Sequence, residues 1–128
     1  MRKILYIMMS ILLFAGVTLS AAGSKEDTVD YTKQDQLFEL IQNQSEPHLL
    51  LDVRTVSEYN QGHIPTAVNL SVTDIDRMPP AVAKDSLIIV YCRSGNRSAT
   101  AKKILESLGY TQVVDFGGIN RWDFELET

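Results

Sequence analysis

Apolar residues in this chain fall into two kinds of pattern. Two runs, His48–Val53 and Ser86–Tyr91, are apolar almost without interruption, as expected of strands covered on both faces. Elsewhere the apolar positions recur every three or four residues: Leu37, Leu40 and Ile41, then Ala101, Ile104, Leu105 and Leu108. That spacing puts them on one face of a helix. Thr32 is in place to cap the first helix. Thr55-Val56-Ser57-Glu58 reads as a capping box that opens a short helix ended by Gly62. Val72 to Met78 reads as a helical turn stopped by Pro79-Pro80, and the helix from Ser98 to Leu108 ends at Gly109. Shorter strands are expected at Thr28–Tyr31, Ala67–Leu70 and Val113–Phe116, a turn at Gly117-Gly118, and a last helix over Asn120–Leu126. Alternating strands and helices predict an α/β fold, with a mostly parallel sheet of about five strands and helices on both faces.

The chain's 128 residues suffice for one such domain and not for two. The first 22 stand apart. Met1-Arg2-Lys3 is positive, Ile4 to Val17 is almost wholly apolar, and small residues follow, ending in Ala21-Ala22. This is the form of a signal peptide cleaved after Ala22. The run is short for a membrane span, which needs about 20 residues, so an uncleaved anchor is the lesser reading. A lipoprotein is excluded because no cysteine lies near the cleavage point. Residues 23–128 are then a periplasmic or secreted domain, expected to be a monomer. Losing Arg2 and Lys3 makes it more acidic than the full chain's net charge of −4. An acidic surface argues against nucleic acid as a partner, and any anionic substrate must be drawn in by a local cationic pocket.

Cys92 is the chain's one cysteine, so it forms no internal disulfide. An unpaired thiol in an exported protein is a site of intermolecular pairing or a reactive group. It closes the Ser86–Tyr91 strand and is followed by the polar loop Arg93-Ser94-Gly95-Asn96-Arg97 and then by a helix. In open α/β sheets, sites form beyond the carboxyl ends of the strands. Cys92, Asp52 with Arg54, and Gly117-Gly118 all stand at such ends. If the loop curls around the sulfur, Gly95 supplying a positive φ, its amides point inward as an anion cradle backed by the helix N-terminus. With Arg93 and Arg97 beside it, the thiol pKa should fall. The same cradle suits the outer sulfur of a persulfide. No cluster has metal-ligand spacing, and no cofactor is indicated. Asp52 and Arg54 read first as a structural pair that supports the site, and His63 as a residue that fixes a turn.

Taken together these segments resemble the single-domain rhodaneses, a sulfurtransferase family, in their exported phage-shock type. Leu50-Leu51-Asp52-Val53-Arg54, Glu58-Tyr59 and Gly62-His63-Ile64-Pro65-Thr66-Ala67-Val68-Asn69-Leu70 match one family block, with Thr66 where glycine is common. Tyr91 to Ser98 matches the active-site loop, and Val114 to Ile119 with Trp122 the C-terminal signature. The resemblance implies that Cys92 takes the outer sulfur of thiosulfate as a persulfide and passes it to a thiol, or to cyanide. Arg93 matches the position where thiosulfate-using members carry a cation. A persulfide carrier and a non-catalytic binding module are the alternatives. A cysteine phosphatase is the least favoured, because four residues rather than five separate Cys92 from Arg97.

Overall fold

A computed structural model describes residues 28–128. The signal peptide expected at residues 1–22 lies outside the described residues. The order of elements is α1 (Gln34–Asn43), β1 (Leu49–Asp52), α2 (Val56–Gln61), β2 (Val68–Asn69), β3 (Leu87–Cys92), α3 (Asn96–Ser107) and β4 (Gln112–Gly118), then a 3₁₀ turn, Ile119–Arg121. The strands form one parallel sheet in the order β2-β1-β3-β4.

Strand alternation divides the interior in two. Leu50, Ile89, Tyr91 and Phe116 point to one face and pack against Leu37, Leu40 and Ile41 of α1. Leu51, Ile88, Val90 and Cys92 point to the other and pack against Ala101 and Leu105 of α3. The sheet is therefore covered by helices on both faces, and the thiol belongs to the face covered by α3. No helix among the described residues is long and apolar enough to cross a membrane.

Local signals placed α2 well. Thr55 Oγ1 accepts from the Glu58 amide at 3.2 Å, and Glu58 Oε1 accepts in return from the Thr55 amide. Four expectations are corrected. The sheet has four strands rather than five, because Thr28–Tyr31 forms no strand. Thr32 does not cap α1: its hydroxyl donates to Asp30 Oδ1 at 2.6 Å, and the helix begins at Gln34 after Lys33. Gly117-Gly118 is no turn but the end of β4, paired with Tyr91 and Cys92 across a register shift. Asn120–Leu126 is not a helix. After the 3₁₀ turn the chain is irregular, with Trp122 stacked edge-on against Phe124 at 5.0 Å. Both rings pack about Phe38, at 6.2 Å and 4.1 Å. Residues two apart do not share a helix face, so this aromatic packing holds the segment extended.

Candidate active site

The site is built at the carboxyl ends of β1, β3 and β4. Cys92 ends β3 and is only 1% exposed. Gly95 adopts φ 110°, and its amide points at the Cys92 sulfur, with N to Sγ 3.0 Å. A side chain would be strained at that φ, and glycine is not. Ser98, in the first turn of α3, is fully buried, with its hydroxyl 3.6 Å from Sγ. That hydroxyl also donates to the carbonyls of Gly95 at 3.0 Å and Gly117 at 3.3 Å. Burial pushes the Cys92 thiol up. The Ser98 hydroxyl and the amides of Ser98, Gly95 and Ser94 outweigh it and hold the thiol below its ordinary pKa.

The two loop arginines do different things. Arg97 forms a bidentate pair with Glu58 of α2, at 2.6 and 2.9 Å. This pair ties the start of α3 to α2. It holds the Glu58 carboxyl down to about 2, with Arg97 the largest cause and the Thr55 hydrogen bonds adding to it. The guanidinium of Arg97 is thereby committed to a carboxylate. The larger influences lowering the thiol are hydrogen bonds, among them the inward amides expected from the sequence, and not the two arginines expected beside them. Arg93 is exposed; its backbone carbonyl accepts from the Asn120 amide at 3.4 Å. Ser94 and Asn96 are also exposed, and Asn96 is the first residue of α3.

Gly118 presses on this loop from β4. A Cβ built there would stand 2.5 Å from the Arg93 carbonyl oxygen and 2.8 Å from Ser94 Cα. The strand end and the cradle are in backbone contact, which only glycine permits.

Asp52 and Arg54 lie beneath the rim. Asp52 is fully buried and Arg54 is 6% exposed. The carboxylate accepts from the Arg54 amide at 2.9 Å, from Nη2 at 2.6 Å and from the Tyr91 hydroxyl at 2.8 Å. Arg54 Nη2 also donates to the Gly62 carbonyl at 2.7 Å, and Tyr91 Oη accepts from the Ile64 amide at 3.1 Å. Every buried polar group of this network has a partner. Removing one charge of such a pair typically costs about 3–5 kcal/mol, because the other is left buried alone. Burial, with Asp52 adding to it, raises the Tyr91 phenol well above its usual pKa, so it stays a hydrogen-bond donor. The network orders the residue before Cys92; none of its hydrogen bonds reaches the sulfur. His63 stacks on Tyr59 at 3.8 Å, and its backbone bridges to Glu127, an arrangement that fixes a turn. Among the described residues no three of His, Cys, Asp and Glu gather in a way that could hold a metal.

From the sequence, Ser98 ended the matched loop without a role at the sulfur, and Glu58 was read only as a helix cap and a member of the matched block. Ser98 carried a weak signal, since a serine in the first turn of the helix after the loop can face back into it. Glu58 carried none beyond its capping role, because its pairing with Arg97 spans 39 positions.

Comparison with known proteins agrees with this fold. The model of the rhodanese-like domain matches residues 34–125. The thiosulfate sulfurtransferase PspE of Escherichia coli (strain K12) is 38% identical over 71 residues, covering 54% of this chain and 68% of the relative. A sulfurtransferase of Allochromatium vinosum is 40% identical over 79 residues, covering 61% and 74%. The chain spans only 21% of the adenylyltransferase and sulfurtransferase uba4 of Ogataea parapolymorpha, at 36% identity over 61% of this chain. Among solved structures, a rhodanese-like protein from Staphylococcus aureus superposes with TM-score 0.65 at 31% identity, covering 74% of this chain and 93% of that one. An E. coli rhodanese with anions gives 0.58 at 32%, covering 63% and 98%.

Proposed function

The chain belongs to the rhodanese-like domain family, and on that premise we propose that it is a sulfurtransferase working through a Cys92 persulfide, with thiosulfate as donor and a thiol as acceptor. The observation that carries the reading is the amide of Gly95 held 3.0 Å from a buried sulfur whose pKa is lowered. Hydrogen bonds to the ionised form make the nucleophile without a separate base. The Cys92 thiolate attacks the outer sulfur of thiosulfate, an S–S bond forms, and sulfite leaves with the electron pair of the broken bond. The acceptor thiolate then bonds to that outer sulfur and the pair returns to Sγ. Arg93, exposed at the mouth of the loop, suits a dianionic donor. The relatives named as sulfurtransferases support the class of reaction, and PspE, named a thiosulfate sulfurtransferase, supports the donor.

Export through a signal peptide at residues 1–22 is part of the proposal. It rests on the charge and hydropathy pattern of that segment.

The test is a thiosulfate:cyanide assay on residues 23–128 with mass spectrometry of the intact protein. Thiosulfate should add one sulfur and cyanide should remove it, and Cys92→Ser should abolish both. Transfer near the wild-type rate in the serine variant would rule the mechanism out.

A further inference from the structure

Beside the cradle lies an open groove of about 310 Å³, bordered by Arg54, Glu58, Gln61, Arg93, Ile119 and Leu126. Its charged residues are not equally available. Arg54 is buried and committed to Asp52 and the Gly62 carbonyl. Glu58 is committed to Arg97 and Thr55. Arg93 is exposed, and among the described residues its guanidinium makes no hydrogen bond or ion pair. The groove thus offers one cation to a ligand.

Part of the groove's lining is apolar. Ile119 is half-buried, while Leu126 is 48% exposed although it is a large aliphatic residue. Leu126 is nonetheless fixed. Its Cδ1 stands 3.4 Å from where a Gly62 Cβ would be, so it rests on that backbone. The next residue, Glu127, exchanges backbone hydrogen bonds with His63 at 2.8 and 2.9 Å, and Phe124 is stacked on Phe38. Leu126 also lines the larger neighbouring cavity of about 640 Å³ beside Phe38 and Trp122. Leu126 thus borders both.

We propose that this groove is an acceptor subsite for small thiols joining an apolar stem to a carboxylate, and that Leu126 is its specificity-determining side chain. The inference rests on the reading of Cys92 as a sulfur carrier and adds the class of acceptor. The volume is at the small end of ligand clefts and suits a small molecule. The stem lies along Ile119 and Leu126, and the carboxylate meets Arg93. In the transfer step the acceptor S–S bond forms as the Sγ–S bond breaks. Cys92–S–S⁻ and R–S⁻ become Cys92–S⁻ and R–S–S⁻, with no net oxidation.

The test uses the protein charged with thiosulfate and compares mercaptoacetate, mercaptohexanoate and mercaptohexanol as acceptors, with cyanide as the reference. Burial is worth about fourfold per methylene, so with partial burial mercaptohexanoate should exceed mercaptoacetate in kcat/KM by at least about tenfold. It should exceed mercaptohexanol severalfold. Leu126→Ala should lower the mercaptohexanoate-to-cyanide ratio about five- to tenfold, and Leu126→Met should restore it; circular dichroism confirms that both fold. Equal rates for the short and long mercaptocarboxylates, or a ratio untouched by Leu126→Ala, would overturn the subsite while cyanide transfer still upheld the sulfurtransferase. Equal rates for mercaptohexanoate and mercaptohexanol would overturn its carboxylate half. Loss of cyanide transfer in the wild type would overturn both readings.

Discussion

Ser98 has one hydroxyl proton and three acceptors around it, the carbonyls of Gly95 and Gly117 and the Cys92 sulfur. A neutral thiol can donate to that oxygen, but once the sulfur ionises the proton is better used on the sulfur. Ser98→Ala should therefore raise the thiol pKa and move the pH profile of Cys92 alkylation by a neutral reagent to higher pH. A thiol depressed in the folded state stabilises the fold above its ordinary pKa, and that contribution is lost as pH falls through the lowered value. An unmoved alkylation profile would mean that the backbone amides alone set the thiolate. Thr66 shows a different strain. It sits at φ 73°, exposed, where a β-branched residue is an outlier. The left-handed region costs a non-glycine residue about 1–2 kcal/mol, partly offset by the greater freedom of glycine in the unfolded chain. Thr66→Gly should stabilise the domain by about 0.5–1 kcal/mol, read as a higher urea midpoint at unchanged slope. A lower midpoint would show that contacts of the threonine outweigh its backbone.

Between elements, β4 meets the loop after β3 in close backbone contact at Gly118. Gly118→Ala would set a methyl against the Arg93 carbonyl and the Ser94 backbone, and main chain has to move to admit it. The cradle amides would move with it. A displacement of about 1 Å can cost on the order of 100-fold in rate, so sulfur transfer should collapse while circular dichroism stays native. An alanine variant with full activity would show that the loop yields without losing its aim. Elements were legible in the sequence wherever local rules decide them. The Thr55–Glu58 capping box, the continuous apolar strands and the spacing of Leu37, Leu40 and Ile41 each specify structure within a few residues. Residues 122–127 were not legible, because their conformation is set by Phe38 and by His63, far away in the chain. Of the site, the loop and its positive-φ glycine could be read directly from Cys92 to Arg97. Of the partners that arrive from other elements, Gly118 could be placed at a rim at best and Glu58 not at all, since register and side-chain pairing are tertiary facts.

For the molecule as a whole the chemistry is local and the field is unfavourable. The full chain carries a net charge of −4, and a dianionic donor, as proposed, would be repelled until it meets Arg93. The Debye length is about 8 Å at physiological ionic strength, so added salt screens the distant acidic surface more than a contact. In Arg93→Ala the local attraction is gone, and kcat/KM for thiosulfate should rise with ionic strength; a fall would point to another cation at the mouth. The burial of Cys92 carries the last consequence. A thiol that meets a persulfide has two sulfurs to choose from, and the products differ. Attack on the outer one passes the sulfur on. Attack on the inner one yields a mixed disulfide, expels hydrosulfide, and wastes the sulfur while blocking the protein. In the proposed persulfide, with Cys92 1% exposed, an approaching thiolate should find the inner atom screened and only the outer atom within reach. On the proposed mechanism the fold would thus enforce regioselectivity, and the same screening would disfavour a disulfide between two copies of the chain through Cys92.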